Sequence, residues 1–195
     1  MVSPGEGSAG STRLRRALFV DRDGTLNPDL HYLREPDRLE LFRGVRDAVR
    51  LVHEHGELVI CVTNQSGIER GLYTADDVAR VHARLNELLE AAGTRIDAFY
   101  FCPHLPERGC ACRKPGTALF ERAAAEHRVD LAASAMVGDR AVDVEAARRL
   151  GLLTAVVETP GHEAEVEAEL RARHLTADLT ALSFEGAVVR VLARG

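Results

Sequence analysis

The chain has no tryptophan, two methionines, a single lysine and only four cysteines among its 195 residues. No apolar run approaches the roughly 20 residues that a membrane-crossing helix requires, so a helical span is not expected. Positive charge is not in surplus either: the formal charge is -5, which argues against a broad nucleic-acid or anionic-membrane surface and leaves room only for a local basic pocket. The cysteines do not form a secreted disulfide framework, because Cys102, Cys110 and Cys112 crowd together while Cys61 stands alone in an apolar run. Residues 1–12 are rich in Gly and Ser and lack an apolar core, so they read as a disordered tail and not as a signal peptide, with a cytoplasmic, monomeric protein expected. No linker or internal repeat divides the rest, and residues 13–195 are expected to form one domain.

What is present alternates between two periods. Ala17 to Val20 is a short apolar run ending in Asp-Arg-Asp-Gly, a buried strand entering a turn. Val45, Ala48, Val49 and Val52 recur at helical spacing before Gly56, and Leu58 to Val62 is rich in β-branched residues and delivers Thr63, Asn64 and Gln65 to its end. Thr74 caps a helix with Val78, Val81, Leu85, Leu88 and Leu89 on its apolar face. Further strands are expected at about 97–101, 135–137 and 154–157, with helices at 117–127, 144–150, 163–173 and 187–192. Strands alternating with helices imply an α/β fold, a Rossmann-like three-layer sandwich on a central parallel sheet, with ligands beyond the strands' carboxyl ends.

Asp21, Asp23 and Asp139 should converge at that end. Two carboxylates about 4 Å apart repel by roughly 4 kcal/mol at an effective dielectric of 20, and a magnesium ion held by the three removes the conflict with hard oxygen ligands. Phosphoryl transfer needs an in-line nucleophile, an acid for the leaving oxygen, and donors with positive charge around the phosphoryl oxygens. Asp21 suits the first role, Asp23 the second, Thr63 offers a hydroxyl, and Lys114 a compact ammonium. Asp143, one helical turn after Asp139, can orient the site. Asp-x-Asp-Gly-Thr is also ordinary turn chemistry; the joint order of the motifs along alternating strands and helices is what favours catalysis.

Cys102, His104, Cys110 and Cys112 present three thiolates and an imidazole within eleven residues, a set that fits tetrahedral zinc with no open position. The loop 102–112 is therefore expected to hold a structural zinc and to aim Arg113 and Lys114, which follow its last ligand. A zinc-bearing nucleic-acid binder is disfavoured, since no basic, aromatic-interleaved stripe flanks the cysteines.

Asp21-Arg-Asp-Gly-Thr, Val62-Thr-Asn-Gln-Ser-Gly-Ile, Cys102-Pro-His, Cys112-Arg-Lys-Pro and Val137-Gly-Asp-Arg together resemble the haloacid dehalogenase-like phosphatases. More narrowly they are similar to D-glycero-D-manno-heptose 1,7-bisphosphate 7-phosphatases, and most are shared with the histidinol-phosphatase group, whose members usually carry an acidic residue where Ser66 stands. The resemblance implies a capless phosphatase that works through an aspartyl-phosphate and acts on the C7 phosphate of the heptose bisphosphate, with histidinol phosphate as the alternative. It further implies that the backbone carbonyl of Asp23 joins Asp21 and Asp139 on magnesium. Asp29, Leu30, His31, Tyr32, Asn64, Gln65, Ser66, Arg113, Lys114 and Arg140 would contact the substrate, with Arg113 and Lys114 also serving catalysis. A non-catalytic phosphosugar-binding module would have lost Asp21 or Asp23, and both are present. The stretch between His104 and Cys110 is shorter than in many members and lies where substrate walls are expected.

Overall fold

The computed structural model describes residues 14–158 and 163–194, and the expected tail at 1–12 lies outside them. Six strands, β1 (Ala17–Val20), β2 (Leu58–Asn64), β3 (Ala98–Cys102), β4 (Ala135–Gly138), β5 (Leu153–Val157) and β6 (Leu179–Ala181), form one sheet in the order β3-β2-β1-β4-β5-β6. All pairings are parallel. The helices are α1 (Val45–Glu54), α2 (Ala75–Glu90), α3 (Ala118–His127), α4 (Ala141–Arg149), α5 (Glu163–Ala172) and α6 (Phe184–Leu192).

Strand side chains alternate between two cores. Leu18, Val20, Val59 and Val137 pack with the apolar stripes of α1, α2 and α6, whereas Phe19, Ile60, Val62 and Met136 pack with α3 and α4 on the other face. Because both faces are covered, the strands read as continuous apolar runs, as buried parallel strands must. Val20 aligns with Cys61 on one side and Val137 on the other. The chain winds outward in opposite directions from β1, so a crevice opens beyond its carboxyl end, flanked by those of β2 and β4.

Some element boundaries differ from expectation. The helix expected from 144 begins at Ala141, because Asp143 accepts the N–H of Arg140 at 3.0 Å and closes the first turn. Strand β6 has only three residues, with Leu179 and Ala181 buried and Thr180 exposed between them, too short to register as a period in the sequence. Thr74 caps α2 as expected, accepting from the N–H of Asp77 at 3.2 Å.

Candidate active site

The crevice is built on the residues that follow β1, β2 and β4. Asp21 continues the line of β1, its N–H bonded to Val137 O at 3.0 Å. One oxygen from each of Asp21, Asp139 and Asp143 lies within 4.8 Å of the others. The Lys114 ammonium sits 2.6 Å from Asp21 Oδ1 and 2.6 Å from Asp143 Oδ1, and donates to Val62 O at 2.7 Å. Lys114 is 3% exposed. Burial alone would push its ammonium down, but Asp143 and Asp21 outweigh it and hold it above the ordinary lysine range. Burial raises Asp21 to about 6 despite Lys114, and burial with the charges of Asp21 and Asp143 raises Asp139 to about 8.

Three buried carboxylates thus crowd together, two of them on the Lys114 ammonium and the third, Asp139, 3.6 Å from the Arg140 guanidinium. The backbone makes room for them: a Cβ on Gly24, whose φ is +84°, would meet Asp139 Oδ2 at 2.1 Å, and one on Gly138 would meet Asp143 Oδ2 at 2.3 Å. Clustered hard oxygen donors of this kind fit a magnesium ion.

The side chain of Asp23 is not in this cluster. It is clasped by Arg22 (Nε–Oδ1 3.2 Å, Nη2–Oδ2 2.7 Å) and accepts from Asn27 at 3.0 Å and Gln65 at 2.9 Å. Burial opposes its ionisation, but the Arg22 charge and these donors outweigh burial and keep its carboxyl below the usual range. The side chain lines the cleft outside the group formed by Asp21, Asp139 and Asp143. Gln65 also donates to Thr63 Oγ1 at 3.0 Å, and its carbonyl accepts from Tyr73 Oη at 2.7 Å, so one amide orients both the acid–base candidate and the hydroxyl donor. Sequence reasoning did not single out Arg22 or Tyr73. An arginine between two aspartates reads as an exposed turn, and yet Arg22 is completely buried.

A cleft of about 310 Å³ opens above these groups, lined by both acids of the Asp21-Arg-Asp turn and by Thr63, Lys114 and Asp143. The expected substrate residues Asp29, His31, Tyr32, Asn64, Gln65, Ser66, Arg113 and Arg140 line it too, together with Val142. Leu30 is not brought there; apolar and half-buried, it packs against the core on the α1 side. His31 and Tyr32 are both left-handed, with φ of 47° and 63°, a backbone strain that two bulky residues retain only when their surroundings hold them. Arg140 lies 3.6 Å from Asp139, 3.8 Å from Asp29 and 3.7 Å from Glu165.

Beside the cleft, one ligand atom from each of Cys102, His104, Cys110 and Cys112 lies within 4.8 Å of the rest. The sulfur separations are 3.6, 3.2 and 3.3 Å, and His104 Nδ1 is 3.6 and 3.2 Å from two of the sulfurs. Tetrahedral zinc with ~2.3 Å bonds to sulfur would set sulfurs roughly 3.8 Å apart, so the cluster fits that ion with a small expansion. The loop is laced to the end of β2: Gln65 N–H donates to Cys102 O at 2.7 Å, and the Asn64 side chain accepts from Lys114 N–H at 3.0 Å and donates to Lys114 O at 3.2 Å. Arg113 Nη1 donates to His104 O at 3.2 Å, which ties its direction to a zinc-ligand residue.

Comparison with known proteins agrees with this architecture. Residues 111–182 match the HAD-hydrolase-like family. A D-glycero-D-manno-heptose-1,7-bisphosphate 7-phosphatase of Thermosynechococcus vestitus is 42% identical over 156 residues, covering 74% of this chain and 80% of the relative. The D-glycero-beta-D-manno-heptose-1,7-bisphosphate 7-phosphatase of Yersinia pestis is 38% identical over 163 residues, 80% of this chain and 87% of its own. The crystal structure of D,D-heptose 1,7-bisphosphate phosphatase from B. bronchiseptica, complexed with magnesium and phosphate, superposes with a TM-score of 0.81 at 29% identity, covering 92% of this chain and 99% of that one. With identity of this order spread across most of both chains, and a parallel sheet that carries its acids where the motifs require them, this chain belongs to the heptose-bisphosphate phosphatase family of haloacid dehalogenase-like hydrolases.

Proposed function

We propose that the protein removes the C7 phosphate from D-glycero-D-manno-heptose 1,7-bisphosphate, with Asp21 as nucleophile and Asp23 as acid and base. The observation that carries this reading is the pairing of Asp21 with the buried Lys114 at 2.6 Å on the floor of an open cleft. Asp21 attacks phosphorus in line, and the P–O bond to the sugar breaks as Asp23, which Arg22 holds ionised in the free enzyme and which takes up a proton from solvent as substrate binds, gives that proton to the leaving oxygen. Asp23 then takes a proton from water, which attacks the aspartyl-phosphate and returns Asp21 with release of inorganic phosphate. The Thr63 hydroxyl and the Lys114 ammonium hold the phosphoryl oxygens, with Gln65 fixing the first of these donors. Asp21, Asp139 and the backbone carbonyl of Asp23 would hold magnesium, with Asp143 beside them; when bound, the ion offsets the carboxylate charge and polarises the phosphoryl group.

The wall of the cleft contributes Arg113 and Arg140, which are suited to the part of the substrate that does not react. Cys102, His104, Cys110 and Cys112 would hold zinc in a structural role. Residues 13–195 are read as one domain, working as a cytoplasmic monomer on a small phosphorylated sugar and on neither nucleic acid nor membrane; among the described residues no helix is long and apolar enough to cross a membrane. The test compares phosphate release from heptose 1,7-bisphosphate and from histidinol phosphate, each with magnesium and with chelator, the product identified by phosphorus NMR. Loss of the C7 phosphate alone, dependent on magnesium, is expected; faster release from histidinol phosphate would overturn the substrate.

A further inference from the structure

We infer that Glu69 is a positioning residue that latches the zinc loop and thereby sets the Arg113 side of the substrate cleft. Glu69 lies past the end of β2, on the same loop as the cleft residues Gln65 and Ser66, and it makes three contacts with the zinc loop. Its N–H donates to Pro103 O at 3.2 Å, its Oε2 accepts the N–H of Leu105 at 2.5 Å, and its Oε1 pairs with Arg108. The Arg108 pair is exposed and worth little. The Leu105 bond differs: it is part-buried, its acceptor is ionised, and it fixes the peptide next to His104. The donors to Glu69 hold its carboxyl below the usual range, the Leu105 N–H foremost, so the latch is closed at neutral pH. The carbonyl of His104 then receives Arg113 Nη1 at 3.2 Å. A continuous line of bonds therefore runs from Glu69 through Leu105 and His104 to Arg113 in the cleft wall. Residues 105–109 lie between the zinc ligands, and Glu69 pins that turn to the loop that follows β2.

This inference rests on the substrate reading above, because Arg113 is taken to meet the part of the substrate remote from the reacting phosphate. The experiment uses the full chain loaded with magnesium and zinc, as wild type, Glu69→Ala and Glu69→Gln. Kinetics are measured on heptose 1,7-bisphosphate and on p-nitrophenyl phosphate, which has no second anionic group. Glu69→Ala is expected to raise KM for the bisphosphate about fivefold, the equivalent of one ordinary hydrogen bond. Its kcat, its zinc content and its kinetics on the aryl phosphate should stay within about twofold of wild type on the same reasoning. Glu69→Gln keeps an acceptor for Leu105 and should recover part of the loss. An unchanged KM, an equal loss on both substrates, or departure of zinc would overturn the positioning role. Hydrogen exchange of residues 104–113 separates the two readings: the Leu105 amide should exchange at least about tenfold faster in Glu69→Ala. If that exchange is unchanged the latch is refuted whatever the substrate, whereas failure of wild type to release the C7 phosphate condemns only the substrate reading.

Discussion

Replacing Lys114 by Met tests whether the buried acids depend on one ammonium. At 2.6 Å from an oxygen of Asp21 and 2.6 Å from one of Asp143, each attraction is about 6 kcal/mol at an effective dielectric of 20. Most of that is offset by the several kcal/mol needed to desolvate each ion, so the pairs contribute little net stability while intact. Removing one partner is different, because the desolvation of the carboxylates remains and their compensation is gone. Such a loss costs about 3–5 kcal/mol, and the Val62 carbonyl, which also accepts from Lys114 at 2.7 Å, is left without this donor. Methionine has nearly the same length and reach, so the change leaves little cavity and the deficit reads out charge. Urea unfolding at neutral pH in the presence of chelator should show a deficit of about 3–5 kcal/mol, and saturating magnesium should narrow it, because a bound cation stabilises the folded state by mass action. A deficit under about 1 kcal/mol in chelator, the level of an exposed pair, or one that magnesium does not narrow, would refute the account of the cluster.

Two further outcomes can be checked independently. Cys110→Ser should lose its zinc on dialysis, measured by metal analysis, and unfold with a stability loss of about 4 kcal/mol or more, the range reached when a structural metal is lost; stoichiometric retention of zinc would mean that the ligand set is wrong. Asp178, just before β6, ties that edge strand to β5, accepting from Thr154 N–H at 2.9 Å and from its hydroxyl at 2.6 Å. Burial works against its ionisation, but the two donors from Thr154 prevail and depress its folded pKa. Its contribution is therefore present above the unfolded value near 4 and is lost as pH falls through the folded one. Asp178→Asn should cost roughly 1 kcal/mol at pH 7, the usual worth of a part-exposed hydrogen bond, and should show no matching cost at pH 2 in the same unfolding assay.

How far the site was legible in the sequence depended on the range over which each contact acts. Asp21, Thr63 and Asp139 follow apolar runs directly, so their place at the strand ends follows from the runs themselves. The zinc ligands lie within eleven residues and declare their chemistry by type and spacing. Asp143 showed itself partly through its position one turn after Asp139, but not that it would enter the acid cluster alongside Asp21. Contacts set by packing gave no such signal. Arg22 is buried because Asp23 folds back on it, and Gln65 points at Asp23 because Tyr73, in the next turn of chain, holds its amide from behind. Leu30 was grouped with the cleft because its neighbours belong there; the left-handed turn at His31 and Tyr32 sends it to the core instead.

The placement of positive charge bears on which phosphate ester the cleft suits. Lys114 is committed to Asp21 and Asp143 on the floor, and in the proposed mechanism it serves the reacting phosphate. Arg113 and Arg140 are held separately from it, one by a carbonyl of the zinc loop and the other by the start of α4. Arg140 faces Asp139 at 3.6 Å, Glu165 at 3.7 Å and Asp29 at 3.8 Å, and of these three Asp29 lines the cleft. A phosphate carries about -1.5 to -2 at neutral pH, so a bisphosphate brings a second anion for which two guanidinium groups are a reasonable match. A substrate with an ammonium at its far end would place that charge against the same two arginines and gain only Asp29. Because the two arginines are anchored to different elements, a ligand that meets both bridges the zinc loop and the start of α4.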